Sequence, residues 1–165
     1  MEVNLWRDAE TSGSPDQNLT GCNWKLETPE TTHALGIQLL RLIPGDAILL
    51  LSGPLGAGKT SLVQGLATGL GITEPITSPT FALAQHYPQG TPQLVHLDLY
   101  RLEISAAADE LFLQEEEEAR AVGAMLAVEW PERLSLALPE AWRLKLCHEG
   151  DGRGAQLILP KNVST

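Results

Sequence analysis

Gly53-Pro54-Leu55-Gly56-Ala57-Gly58-Lys59-Thr60 reads G-x-x-x-x-G-K-T, the pattern of a phosphate-binding loop. Its flanks decide the fold. Ahead of it, Ala47-Ile48-Leu49-Leu50-Leu51-Ser52 is an apolar run suited to a strand buried on both faces of a parallel sheet. Behind it, Leu62, Val63, Leu66 and Leu70 fall on one helical face of Ser61 to Leu70. Gly53, Gly56 and Gly58 let the backbone turn tightly and come close to a phosphate. The N–H groups of Leu55, Gly56, Ala57, Gly58, Lys59, Thr60 and Ser61 then line a concavity, and the positive end of a helix starting near Lys59 adds to it. The pattern gives Lys59 to the β- and γ-phosphates of a nucleotide and the Thr60 hydroxyl to Mg²⁺.

Outward from the loop, composition narrows the class. The chain has 165 residues, 43% of them hydrophobic, which is one domain with material for a real core. No apolar run reaches transmembrane length, so no membrane partner is expected. The formal charge of −10, from 21 acidic and 11 basic residues, opposes unaided binding to nucleic acid. Cys22 and Cys147 are far apart, lack metal-site spacing, and read as free thiols in the cytoplasm. Met1 to Gly21 is polar, lacks the basic start and apolar centre of a secretory signal, and reads as a disordered leader; residues 22–165 make up the domain.

Upstream of the loop, Trp24 to Glu27 alternates as a short strand. Thr28-Pro29 then caps and starts a helix running to about Leu42, with Leu35, Leu39 and Leu42 buried and Ile37 and Leu40 broadening that face. His33 falls in its first turns and reads as a surface residue. Downstream, Glu74 to Thr80 is a loop held by Pro75 and Pro79, and Phe81 to Tyr87 is an edge or hairpin strand. A short helix over Ser105 to Leu113 is expected, capped by Ser105, and Glu115 to Glu118 then reads as a solvated acidic surface without convergence. Trp142 to Leu146 and Ala155 to Leu157 alternate on either side of a glycine-rich turn, a terminal antiparallel hairpin. The fold class is α/β, a three-layer P-loop arrangement with a mixed, mostly parallel central sheet and that C-terminal hairpin.

Two apolar strands end in carboxylates. Leu94-Val95-His96-Leu97 delivers Asp98, and Met125-Leu126-Ala127-Val128 delivers Glu129. In a parallel sheet the nucleotide sits at the carboxyl ends of the strands, so Glu129 is expected beside Asp98 at that rim. A carboxylate emerging from apolar residues needs a partner, and Mg²⁺ supplies one. Trp130 follows Glu129 and packs against either the nucleotide or the core.

The chain resembles the TsaE (YjeE) family of bacterial P-loop ATPases. The resemblance rests on the loop, on Ser78-Pro79-Thr80-Phe81, on His96-Leu97-Asp98-Leu99-Tyr100-Arg101 and on Val128-Glu129-Trp130-Pro131-Glu132, in the family's order and spacing. It covers roughly Leu26 to Leu159. It implies ATP and Mg²⁺ as ligands, with Lys59 and Thr60 on phosphate and metal and Thr80 in a switch-like loop that senses the γ-phosphate. By the same resemblance Asp98 is the Walker-B-type acid, Glu129 a second active-site carboxylate and Trp130 an aromatic beside the nucleotide. It also implies the TsaD–TsaB complex as partner, with tRNA contacted only through that complex. The chain departs from the family at Pro54, where a polar residue is usual; proline removes one N–H from the cradle.

Lys59, Asp98 and Glu129 are therefore the candidate catalytic residues, and Thr60, Asp98 and Glu129 the candidate metal ligands, with the division of roles between the two acids open. A GTPase is disfavoured, because Asp98-Leu99-Tyr100-Arg101 lacks the glycine of D-x-x-G and no N-K-x-D motif is present. A small-molecule kinase usually brings an arginine-bearing lid, and Leu102 to Val128 offers only Arg120. A nucleotide-gated binding module with incidental hydrolysis stays open; comparing ATP with a non-hydrolysable analogue separates it from an ATPase.

Overall fold

The computed structural model describes residues 5–6, 20–77 and 83–161. In chain order the elements are β1 (Leu5–Trp6), β2 (Thr20–Leu26), α1 (Pro29–Leu39), β3 (Ile48–Ser52), α2 (Lys59–Gly69), β4 (Ala84–Tyr87), β5 (Leu94–Asp98), α3 (Ser105–Val122), β6 (Met125–Glu129), β7 (Trp142–Glu149) and β8 (Gly152–Ile158). The strands form one sheet in the order β1-β2-β8-β7-β3-β6-β5-β4. Its centre, β7-β3-β6-β5, is parallel, and its flanks are antiparallel: β4 on β5 at one side, and β8, β2 and β1 beyond β7 at the other. The anticipated terminal hairpin is β7–β8.

Side-chain alternation along the central strands builds two apolar layers. Leu49 and Leu51 of β3, Leu94 of β5 and Met125 and Ala127 of β6 pack with Leu35 and Leu39 of α1 and Leu62, Val63 and Leu66 of α2. Leu50, Val95, Leu97, Leu126 and Val128 take the other face, against Ala108, Phe112 and Ala119 of α3. Strands buried on both faces read as continuous apolar runs, which is why β3, β5 and β6 stood out in the sequence. Among the described residues no helix is long and apolar enough to cross a membrane.

Several boundaries differ from expectation. Thr28 does cap α1: its hydroxyl accepts from Thr31 N–H, while the Thr31 hydroxyl accepts from Thr28 N–H. The helix closes at Leu39 in tight three-residue turns, Leu40 N–H to Ile37 O and Leu42 N–H to Leu39 O. That swings Leu42 outward, and Ile43 enters the core in its place. His33 bridges the helices instead of lying free, its Nε2 3.0 Å from Thr68 Oγ1 of α2. Within the stretch read as a leader, Leu5–Trp6 pair antiparallel with β2, and β2 itself begins at Thr20. The rest of residues 1–19 lies outside the described residues.

The acidic run is the clearest correction. α3 does not stop at Leu113 but continues through Glu115–Glu118 to Val122, where Gly123 closes it in the left-handed conformation with φ 66°. Glutamate is a good helix former, and Glu116 pairs with Arg120 one turn on. Ser105 is not the cap; Ile104 occupies that position and gives no side-chain bond. Nor are the carboxylates all solvated. Glu115 is buried and lies 2.6 Å from His86 Nε2 of β4, with Glu118 3.8 Å from the same nitrogen. Helical spacing turned two of the four toward the sheet edge, and an imidazole 29 residues earlier meets them.

Candidate nucleotide site

The loop after β3 is built for close approach. Gly53, Gly56 and Gly58 have φ of 149°, 76° and 102°, a region that a side chain disfavours. A Cβ at Gly53 would stand 2.5 Å from the carbonyl oxygen of Leu146 on β7, so the loop is pressed onto the sheet there. Gly58 is also the N-cap of α2 and has no side chain to satisfy the first N–H groups. Those donors therefore face outward at the helix's positive end. A cavity of about 420 Å³ opens before them, lined by Leu55, Gly56, Gly58, Lys59, Thr60 and Ser61 on one side. From the sheet and the loops beyond it come Leu83, Asp98, Tyr100, Arg101, Glu129 and Trp130.

Parallel pairing brings the two acids together. Asp98 and Glu129 are register partners at the carboxyl ends of β5 and β6, so their side chains leave the sheet on the same face. Asp98 Oδ1 accepts the backbone N–H of Tyr100 at 3.0 Å, which fixes the turn after β5. Glu129 is only 3% exposed, and its Oε2 lies 2.6 Å from Nε2 of the wholly buried His96.

Lys59 faces them. Its ammonium donates to the carbonyl oxygen of Gly53 and sits 3.8 Å from the centre of the Trp130 ring. Burial of this charge pushes its pKa below the ordinary lysine value, opposed by the negative charges of Glu129, Glu132 and Asp98. Trp130 reaches over the lysine because its backbone is left-handed, φ 58° and ψ 51°, a conformation that costs a non-glycine residue about 1–2 kcal/mol. Its ring also meets that of Tyr100, centre to centre at 4.8 Å.

Of the residues anticipated from sequence, Leu55, Gly56, Gly58, Lys59, Thr60, Ser61, Asp98, Glu129 and Trp130 come together around one cavity. Gly53 contributes from beneath, through its carbonyl. Ala57 is fully buried under the loop and does not line the cavity; its N–H donates to the carbonyl oxygen of Pro54 at 3.2 Å. Thr80 lies outside the described residues. Sequence reading missed Tyr100 as a lining residue. It also missed Arg153 of β8, whose Nε donates to Gly56 O at 3.0 Å and ties the loop to the distal hairpin. No motif marks Arg153, which lies 97 positions beyond Gly56 in the chain.

An uncapped helix start, a glycine cradle, a buried lysine and two adjacent carboxylates at the carboxyl edge of a parallel sheet define a P-loop nucleotide-binding protein. Comparison with known proteins narrows this. The family model for threonylcarbamoyl adenosine biosynthesis protein TsaE matches residues 26–156. A tRNA threonylcarbamoyladenosine biosynthesis protein TsaE from Nostoc sp. is 41% identical over 142 residues, covering 84% of this chain and 86% of that protein. The protein of the same name from Bacillus subtilis is 38% identical over 118 residues, 71% of each chain. The crystal structure of Bacillus subtilis YdiB superposes with a TM-score of 0.68 at 27% identity, covering 88% of this chain and 90% of that one. The chain belongs to the TsaE family.

The stacked ring gives a direct optical readout. Nucleotide phosphate competes for the ammonium that now lies against Trp130, so binding of ADP or ATP is expected to change tryptophan emission. The change should vanish in Trp130→Phe, which leaves Trp6, Trp24 and Trp142 in place. An equal change in both proteins at saturation would place the ring away from the nucleotide.

Proposed function

We propose that the protein hydrolyses ATP to ADP and phosphate with Mg²⁺, and that this supports a TsaD–TsaB complex forming N6-threonylcarbamoyladenosine at position 37 of tRNA. The observation that carries the reading is the placement of Lys59 at the start of α2 opposite the register-paired Asp98 and Glu129. Family membership supports the pathway. The charge of −10 supports action on a protein complex, with tRNA reached only through it.

The residues present fit both ligands. The cradle leaves the helix N–H groups without a side-chain cap and sets a cation beside them, which suits polyphosphate. Two carboxylates and the Thr60 hydroxyl are hard oxygen donors of the kind that Mg²⁺ takes. Thr60 and Asp98 would hold the ion, and Mg²⁺ when bound supplies positive charge to the β- and γ-phosphate oxygens. Lys59 leaves the Gly53 carbonyl for the same oxygens and neutralises charge that grows as the bond to ADP breaks. Glu129, buried and hydrogen-bonded, orients the attacking water and draws its proton. Trp130 and Tyr100 line that side of the cavity.

Glu129→Gln is expected to lower turnover about 10²-fold while leaving ATP affinity within a few-fold, because a lost general base acts on the chemical step. Equal turnover per bound ATP would remove Glu129 from that role. The pathway is tested by multiple-turnover modification of tRNA by TsaD–TsaB supplied with threonylcarbamoyl-AMP. Sustained product formation should need both this protein and Mg-ATP, and should be lost with Glu129→Gln. Indifference to both additions, despite binding to the pair, would overturn the assignment.

A further inference from the structure

The geometry points to His96 as the positioning residue for Glu129: its imidazole, through Nε2–H, fixes the carboxylate that acts on water. This rests on the reading of Glu129 given above and adds a second residue to it.

His96 is the central residue of β5, wholly buried between neighbouring strands. Its register partner on β6 is Ala127, two residues before Glu129 and on the same face. The small side chain of Ala127 leaves a lane along the sheet, and the imidazole reaches down that lane to Glu129 Oε2 at 2.6 Å. A carboxylate accepts, so Nε2 carries the proton in this contact. The other ring nitrogen, Nδ1, is buried without a hydrogen-bond partner among the described residues. Burying an unsatisfied polar atom is unfavourable, and an apolar side chain in a strand of leucine and valine would avoid that. The contact to Glu129 is what a histidine gains there and a leucine would lack.

Two consequences follow for the site. One oxygen of Glu129 is committed to the sheet, which sets the direction of the other toward the cavity. The tether also holds the acid on its own strand, away from collapse onto Lys59, for which Glu129 is the leading negative neighbour. Hydrogen-bonding partners of metal-ligating side chains contribute about 10–100-fold to affinity or activity without touching substrate, and a partner of a carboxylate that acts on water is expected to act on the same scale.

The test uses the full-length chain with Mg-ATP, measuring turnover, ATP affinity and thermal stability for His96→Gln and His96→Asn, each with and without Glu129→Gln. A glutamine amide reaches about as far as Nε2 and can donate to Glu129; an asparagine, one methylene shorter, cannot. We expect His96→Asn to lose about 10–100-fold in kcat with ATP affinity little changed, and His96→Gln to recover most of that loss. On the Glu129→Gln background both changes should have little further effect, since residues acting as one unit are not additive. Equal turnover for the asparagine and glutamine variants would overturn the proposal. So would an undiminished loss on the Glu129→Gln background, which would mark His96 as a packing residue. If Glu129→Gln alone keeps full turnover, the assignment of Glu129 itself falls, and that result is separate from either of the others.

Discussion

Lys59→Met is expected to lower kcat/KM for Mg-ATP about 10³-fold and, in the same molecule, to raise the melting temperature of the nucleotide-free protein at neutral pH. The first effect follows from position. The ammonium starts α2 where the uncapped N–H groups converge, and methionine keeps the stem while removing the charge. A preorganised cation or donor removed from developing phosphate charge costs about 4 kcal/mol, which is that factor in rate. The second effect follows from burial. Lys59 is 6% exposed, and its pKa is lowered from 10.5, first by desolvation, against the pull of Glu129, Glu132 and Asp98. Below the lowered pKa the lysine is charged both folded and unfolded, so the folded state carries the full penalty of burying it. Between the lowered value and 10.5 the unfolded chain binds more protons, and wild-type stability rises with pH relative to the variant. The advantage of Lys59→Met in thermal melts should therefore be largest near neutrality and shrink toward high pH. A variant less stable than wild type at pH 7 would mean that the Gly53 carbonyl and the Trp130 ring fully compensate the buried charge. Unchanged ATP affinity and turnover would remove Lys59 from the site altogether.

That lysine was legible because its signal is local: a fixed spacing of glycines, then Lys-Thr, between an apolar strand and an amphipathic helix. Asp98 and Glu129 were legible for a related reason, since each ends a run of apolar residues and an acid in that position demands a partner. Their adjacency was legible as well, since two parallel strands that each end in an acid put both at one rim, and the register pairs Asp98 with Glu129. Trp130 could be placed near the acid but not over the lysine, since a left-handed tryptophan has no sequence signature. Arg153 and His96 mark the same limit. One joins the loop to β8 and the other joins β5 to β6, and both contacts exist only once the sheet has assembled. Errors in the helices had a different cause. The end of α1 was decided by tight terminal turns where apolar periodicity favoured a helix to about Leu42, and the length of α3 by the helix propensity of glutamate where the run of charge favoured open surface.

Gly65→Ala is expected to be among the most destabilising single changes in the chain, although alanine is the better helix former by about 1 kcal/mol. α1 and α2 cross at two glycines. A Cβ on Gly65 would stand 2.0 Å from the carbonyl oxygen of His33, and one on Gly36 would stand 2.4 Å from that of Leu62. Both obstacles are backbone, so neither can turn aside as a side chain would. The helices would have to separate by an ångström or more, loosening Leu35, Leu39, Leu62 and Leu66, all fully buried against the sheet. Overpacking costs typically 1–3 kcal/mol where side chains can adjust; against two backbones the upper end is exceeded, and about 4 kcal/mol is expected. For a domain of this size that lowers the melting temperature by roughly 8–16 °C. Gly69→Ala supplies the control on the same helix. Its Cβ would meet the terminal Cδ1 of Leu40 at 2.3 Å, the far end of a flexible and only partly buried side chain. There the gain in helix propensity offsets most of the crowding, and the change should stay within about 1 kcal/mol of neutral. The separation reaches the nucleotide as well. Thr32 of α1 is buried beneath the loop, its Cγ2 3.3 Å from where a Cβ on Gly58 would be, so α1 braces the cradle from below. Gly65→Ala should accordingly weaken ATP binding even at temperatures where the protein stays folded, while Gly69→Ala should not. Equal melting temperatures for the two variants would refute the close crossing, and full ATP affinity in a destabilised Gly65→Ala would show that the cradle holds its shape without α1.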